Sequence, residues 1–280
     1  MNIVAIGDKV PPGQYQFHSR FTRVVNYRNA DGLISFVADE GALSGRALFV
    51  TGLPRGESPV RVSTTHVVVD GAPLPCADAV RYDSSFSGLE TAHVAPLVGL
   101  MQDVLCRRGP ALSLAVLHDP VREAAFSSAF ERALLDRFRA AHTAMEDGAV
   151  LESVERFKGV GFGLTPSGDD FITGLLYALG AVPGANGLAT LRREILQVAA
   201  DCAALSFQFI KDAAAGSYPR DVKAMFTAAR VGDEARTRGR LEALVAHGHT
   251  SGADTVAGMI AGLRWWQASS GAGIGPLTRG

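Results

Sequence analysis

Two hydrophobic patterns divide the chain. In residues 1–83 apolar side chains come in short runs rich in β-branched and aromatic residues, at 23–27, 33–37, 47–51, 60–63 and 66–70. Turn signals at Asn29-Ala-Asp-Gly32, Gly52-Leu-Pro-Arg-Gly56 and Asp70-Gly71 punctuate them. Short strands with no helices between them predict an antiparallel sheet or small barrel. From residue 84 onward Ala, Leu and Arg dominate and apolar positions recur every three or four residues. That spacing predicts helices over 89–107, 120–146, 149–157, 168–181, 188–215, 219–229, 233–246 and 252–267. The run 111–117 fits a strand and a buried turn of helix equally well. Strands first and helices later give an α+β fold. The expected layout is a β-rich domain over 1–83, a helical domain over 84–268 and a flexible Gly/Ser-rich tail over 269–280.

Two of the helix starts look alike. Ser167 falls on Ser251, Gly168 on Gly252, Asp170 on Asp254, Gly174 on Gly258 and Leu179 on Leu263, so both segments read S-G-x-D-x-x-x-G-x-x-x-[AG]-L. Capping explains part of this: a Ser at the cap and an acid three residues on can satisfy each other's backbone amides, within Ser167–Asp170 and within Ser251–Asp254. Gly174 with Ala178 and Gly258 with Gly262 form narrow stripes suited to packing backbone against backbone. Capping leaves Asp169 unexplained, because Ala253 stands in its place, and it leaves His249 unexplained where the first segment has Thr165. The run Gly159-Val-Gly-Phe-Gly163 leads into the first start, where free amides and the helix dipole favour an anion.

If the stripes pack in parallel, the helix starts converge on one pocket. On this reading His249, Asp169 and Asp170 are the candidate catalytic groups. His249 serves proton transfer, since an unperturbed imidazole titrates near neutrality. Gly161, Gly163, Thr165, Ser167, Gly168, Thr250, Ser251, Gly252 and Asp254 would line the substrate or anion site. Three aspartates repel an anion that two helix dipoles attract. Mg²⁺ held by Asp169 and Asp170, or Arg or Lys side chains from elsewhere facing the pocket, is one resolution. The other is that Asp170 and Asp254 are used up as caps, leaving Asp169 as the free carboxylate.

Composition narrows the function classes. A formal net charge of −1 over 280 residues argues against nucleic-acid binding by charge alone. Cys76, Cys106 and Cys202 are odd in number and form no CxxC pair, so neither a disulfide framework nor a structural zinc site is expected. The apolar run 171–182 is too short to span a bilayer, and residues 1–13 lack the apolar core of a signal peptide, so a cytoplasmic protein is expected. Lys158 precedes the glycine run without Walker spacing. His18, Arg20 and Arg23 lie on a strand and either reach the site or face solvent. The remaining histidines, including His118 and His142, read as structural or surface.

The segments Gly161-Phe-Gly-Leu-Thr-Pro-Ser-Gly-Asp-Asp-Phe-Ile-Thr-Gly174 and Gly248-His-Thr-Ser-Gly-Ala-Asp-Thr-Val-Ala-Gly258 resemble the two signatures of the AllH-like family, named for a subunit of bacterial oxamate carbamoyltransferase. His18-Ser-Arg-Phe-Thr-Arg-Val-Val-Asn26 and Ala213-Ala-Ala-Gly-Ser-Tyr-Pro219 also resemble family positions. The resemblance implies a role in ureide breakdown, interconverting oxalurate plus phosphate with oxamate plus carbamoyl phosphate. It also implies a small anionic ureido or carbamoyl substrate and partner subunits, with a homo-oligomer open. The competing readings are an Mg²⁺-dependent hydrolase or phosphoryl-binding enzyme built on the aspartates, and a non-catalytic ligand-binding or interface subunit.

Overall fold

The structure, a computed structural model, describes residues 1–39 and 43–271. They form an α+β fold in two compact units. One unit comprises Met1–Ser85 with Ser217–Lys223, and the other comprises Phe86–Gly216 with the chain from Ala224 onward.

The first unit is built on a nine-stranded sheet. Its strands are β1 (Ile3–Gly7), β2 (Gly13–Arg20), β3 (Val24–Asn29), β4 (Ile34–Ala38), β5 (Ala47–Val50), β6 (Val60–Val62), β7 (His66–Val69), β8 (Ala72–Pro75) and β9 (Val80–Tyr82), in the order β8-β7-β6-β2-β3-β4-β5-β1-β9. Alternation decides which side chains are buried. Val60, Val62, Val67 and Val69 point into a cluster with Tyr15, Val25, Tyr27 and Leu48, while Arg61 between the two valines is exposed. The β7–β8 hairpin turns at Asp70 and Gly71, with φ of 50° and 79°, the left-handed pair that a two-residue turn requires.

Two features depart from a wholly antiparallel sheet. Strand β4 pairs with β5, and β1 with β9, in parallel. Among the strands the apolar runs did not mark, β2 carries Gln14, Gln16, His18 and Arg20 on exposed or half-exposed positions, so only half of its side chains report burial.

The second unit holds α1 (Thr91–Arg108), α2 (Ala129–Glu146), α3 (Val150–Phe157), α4 (Ser167–Ala181), α5 (Ala189–Val198), α6 (Ala204–Ala214), α8 (Glu234–Val245) and α9 (Ser251–Gly271); α7 (Arg220–Arg230) begins in the first unit and ends in the second. Two expected helices are broken. Residues 120–146 split into a 3₁₀ segment, Pro120–Ala125, and α2, because Ser128 forms a capping box with Glu131 and starts a new helix. Residues 188–215 split into α5 and α6, with Asp201 and Cys202 in the turn between them. The ambiguous run 111–117 is a buried 3₁₀ turn, Leu114–Leu117, capped by Ser113.

Helix α9 extends through Gly271, so residues 269–271 of the expected tail are helical, and the rest of that tail lies outside the described residues. Among the described residues no helix is long and apolar enough to cross a membrane.

Candidate functional site

The look-alike helices pack on each other through their glycines. A Cβ on Gly174 would lie 1.9 Å from the carbonyl oxygen of Thr255, and one on Gly258 would lie 2.0 Å from that of Phe171. Position 171 corresponds to 255 and position 174 to 258 in the sequence alignment, so the contact is two-fold pseudo-symmetric. Farther along, Gly262 meets the Ala178 methyl. Contacts advance along both helices together; α4 and α9 therefore run parallel and begin at the same end. Each start is also wedged against an earlier helix, because a Cβ on Gly168 would lie 1.8 Å from the Phe157 carbonyl oxygen and one on Gly252 would lie 1.8 Å from that of Leu244. Phe157 continues the wedge with its ring, stacked on Phe171 at 4.0 Å between centroids.

At the shared end the polar groups are exchanged between helices. The Ser251 and Thr165 hydroxyls lie beside Asp170 and favour its charged form, whereas the Ser167 and Thr250 hydroxyls do the same for Asp254. Asp254 Oδ1 also accepts the Leu114 backbone amide at 2.7 Å. The expected capping boxes within each segment are replaced by Ser251 with Asp170 and Ser167 with Asp254. The physical reason is the parallel glycine contact, which brings each serine to the other helix's carboxylate.

Asp169, Asp170 and Asp254 are all buried, and the Oδ2 of each has no hydrogen-bond partner. Burial pushes the Asp170 carboxyl well above the usual range, and the Asp254 charge pushes it further. Burial raises Asp254 to about 6, against the Leu114 amide, the two hydroxyls and His249, which all pull it down. Two buried like charges cannot both ionise cheaply, so the pair retains proton near neutrality.

The expected site residues separate by depth. His249 is exposed, Thr165, Thr250 and Ser251 are half-buried, and Ser167, Gly168, Gly252 and the three aspartates lie beneath them. Two expectations need correction. The Gly168 and Gly252 amides are not available to an anion, because they donate to Val160 and His247 carbonyls at 2.8 and 3.1 Å. The amides of Asp169 and Asp170 likewise go to the Pro166 carbonyl, and that of Asp254 to Thr250. Nor is Asp169 the free carboxylate: its Oδ1 accepts the Gly159 amide at 2.7 Å and the Cys202 thiol at 3.4 Å.

Gly161, at φ 130°, lies against the Ser167 amide nitrogen, where a Cβ would approach to 2.4 Å. Gly163, at φ 83°, has open space around it. Lys158 is engaged by Glu155 and Asp201 at 2.9 and 3.1 Å. In the first unit Arg20 holds the carbonyls of Pro54 and Gly56, and the β2–β3 register shifts between Phe17 and Ser19, beside His18. Among the described residues no group of three or more His, Cys, Asp or Glu side chains is placed to hold a metal ion. Two clefts lined by α1 and α8 residues contain none of the site residues.

Cys202, the Leu114 amide and Ser206, whose hydroxyl donates to the Leu164 carbonyl at 3.2 Å, complete the surroundings. Nothing in the sequence marks them. Cys202 sits in what reads as the middle of a helix, and Leu114 contributes only a backbone amide.

Residues 157–263 match the family model described as Oxamate carbamoyltransferase subunit AllH. The match spans both signature segments and the turns and helices between them. Searches of curated proteins and of solved structures return no match.

Proposed function

We propose that this AllH-like chain is a subunit of a carbamoyltransferase system of ureide breakdown, and that its small-molecule site lies at Thr165, His249 and Ser251, over the buried Asp170. The reading rests on one observation. Two distant segments bring two hydroxyls onto Asp170, a buried carboxyl whose Oδ2 has no partner. An orphaned polar atom of this kind is costly unless a ligand or a proton satisfies it.

The chemistry of carbamoyl transfer suits these groups. In the phosphorolysis of oxalurate, a phosphate oxygen bonds the carbamoyl carbon, the bond from that carbon to the oxamate nitrogen breaks, and the nitrogen gains a proton. Asp170 in its neutral form donates to the carbamoyl oxygen and stabilises the charge that grows there. His249, exposed, carries the proton from phosphate to the leaving nitrogen. Ser251, Thr165 and Thr250 hold the Asp170 and Asp254 carboxyls in place beneath the substrates. Ser167 and Asp254 stand behind them and hold the two helix starts together.

The test is a thermal-shift series with oxalurate, oxamate, carbamoyl phosphate and phosphate, each with and without Mg²⁺. A ligand at about one hundred times its Kd stabilises the fold by about 2.7 kcal/mol, a readable shift. The expected result is a shift with oxamate or oxalurate that Asp170→Ala abolishes. No shift with any of the four, with or without the metal, would sink the proposal.

A further inference from the structure

Asp169 is the one acidic position of the paired signatures without a counterpart, Ala253 standing in its place. Its side chain is 1 % exposed, yet the helix start needs no second acid. Its Oδ1 reaches backward to the Gly159 amide at 2.7 Å and forward to the Cys202 thiol at 3.4 Å. In the segment leaving Gly159, Val160 is buried and its carbonyl accepts the Gly168 amide at 2.8 Å. Phe162 and Leu164 are 55 % and 53 % exposed, and the residues around them are glycines at positive φ. Past this stretch the Leu164 carbonyl takes the Ser206 hydroxyl, and the next residue is Thr165, whose hydroxyl lies beside Asp170.

We propose that Asp169 is a positioning residue. It ties the glycine segment 159–163 to the start of α4 and to the turn before α6, and so fixes where Thr165 delivers its hydroxyl above Asp170. Its consequence for ligands rests on the carbamoyltransferase reading of the site; the clamp itself does not. A clamp needs an acceptor oxygen at this position but no charge. A general base or a metal ligand needs the carboxylate. Glycines with positive φ give the segment alternative conformations, so a buried acceptor on the Gly159 amide removes freedom that the Val160 contacts leave.

Three variants separate these roles: Asp169→Asn, which keeps an acceptor oxygen, Asp169→Ala, which removes it, and Cys202→Ala, which removes one of the two donors. Amide hydrogen exchange over 159–165 should rise about tenfold or more in Asp169→Ala, as expected for loss of a buried charged hydrogen bond. It should stay near wild type in Asp169→Asn and rise less in Cys202→Ala. Oxamate affinity, read by calorimetry, should fall about tenfold in Asp169→Ala and change within about threefold in Asp169→Asn.

An Asp169→Asn variant that loses affinity as fully as Asp169→Ala overturns the proposal, since charge would then be what matters. So does unchanged exchange over 159–165 in Asp169→Ala. Wild-type protein that binds none of oxalurate, oxamate, carbamoyl phosphate and phosphate refutes the carbamoyltransferase reading alone, and the exchange data still decide on the clamp.

Discussion

Asp254 shows how one side chain can oppose stability while holding a site. It is fully buried, with one oxygen on the Leu114 amide and the other unpartnered, and its carboxyl is raised to about 6. A carboxyl raised in the folded state favours folding most when protonated. Its contribution is fully present below the ordinary value of 3.8 and is lost as pH rises through about 6. The difference between those values corresponds to about 3 kcal/mol. Asp254→Asn keeps an acceptor for Leu114 and removes the charge. Urea unfolding from pH 4 to 8 should show the variant gaining on wild type up to about pH 6 and levelling off above it. A constant difference across the series would mean that Asp254 ionises in the fold as freely as in water. The types and positions of these acids were legible in the sequence. Their partners were not, because a capping box joins residues three apart whereas these bonds join residues on different helices.

Among the elements, α4 and α9 carry the argument, and their glycines can be tested against others. Gly258 sits 2.0 Å, counted to an added Cβ, from a backbone oxygen that cannot move without shifting α4. Gly258→Ala should cost about 3 kcal/mol, near the upper end of overpacking penalties. Gly99 lies inside α1 with nothing within 4 Å of an added Cβ, so Gly99→Ala should stabilise by about 0.5–1 kcal/mol through helix propensity. Chemical denaturation of both variants checks this, and similar effects of the two would refute the close approach. The helical period identified most helices, including the glycine stripes that pair. It overran at 120–146 and 188–215, since amphipathic spacing persists across a break and only the cap at Ser128 or the turn at Asp201-Cys202 ends the helix.

At the scale of the whole molecule, the family model matched over 157–263 is described as a subunit, so the proposed function calls for partners. Phosphate-dependent release of carbamoyl phosphate from oxalurate should therefore appear, or rise at least tenfold, when the chain is mixed with its partner subunits, and His249→Ala should lower it by about 10²-fold or more. Full activity of the isolated chain, or indifference to His249→Ala, would contradict the assignment of roles.

The sequence by itself determined the α+β class, the Asp70-Gly71 turn, the pairing of two Ser-Gly-x-Asp helix starts and the family resemblance. These follow from local periods and from residue types that only a few backbone geometries need. The tertiary structure alone decided that the serines stand beside the opposite helices' carboxyls, that the Gly168 and Gly252 amides are spent, and that Asp169 accepts the Gly159 amide. Each of these depends on which groups meet across long stretches of chain, and a hydrogen bond reaches only about 3 Å, a distance set by how the helices pack and not by their spacing in the sequence.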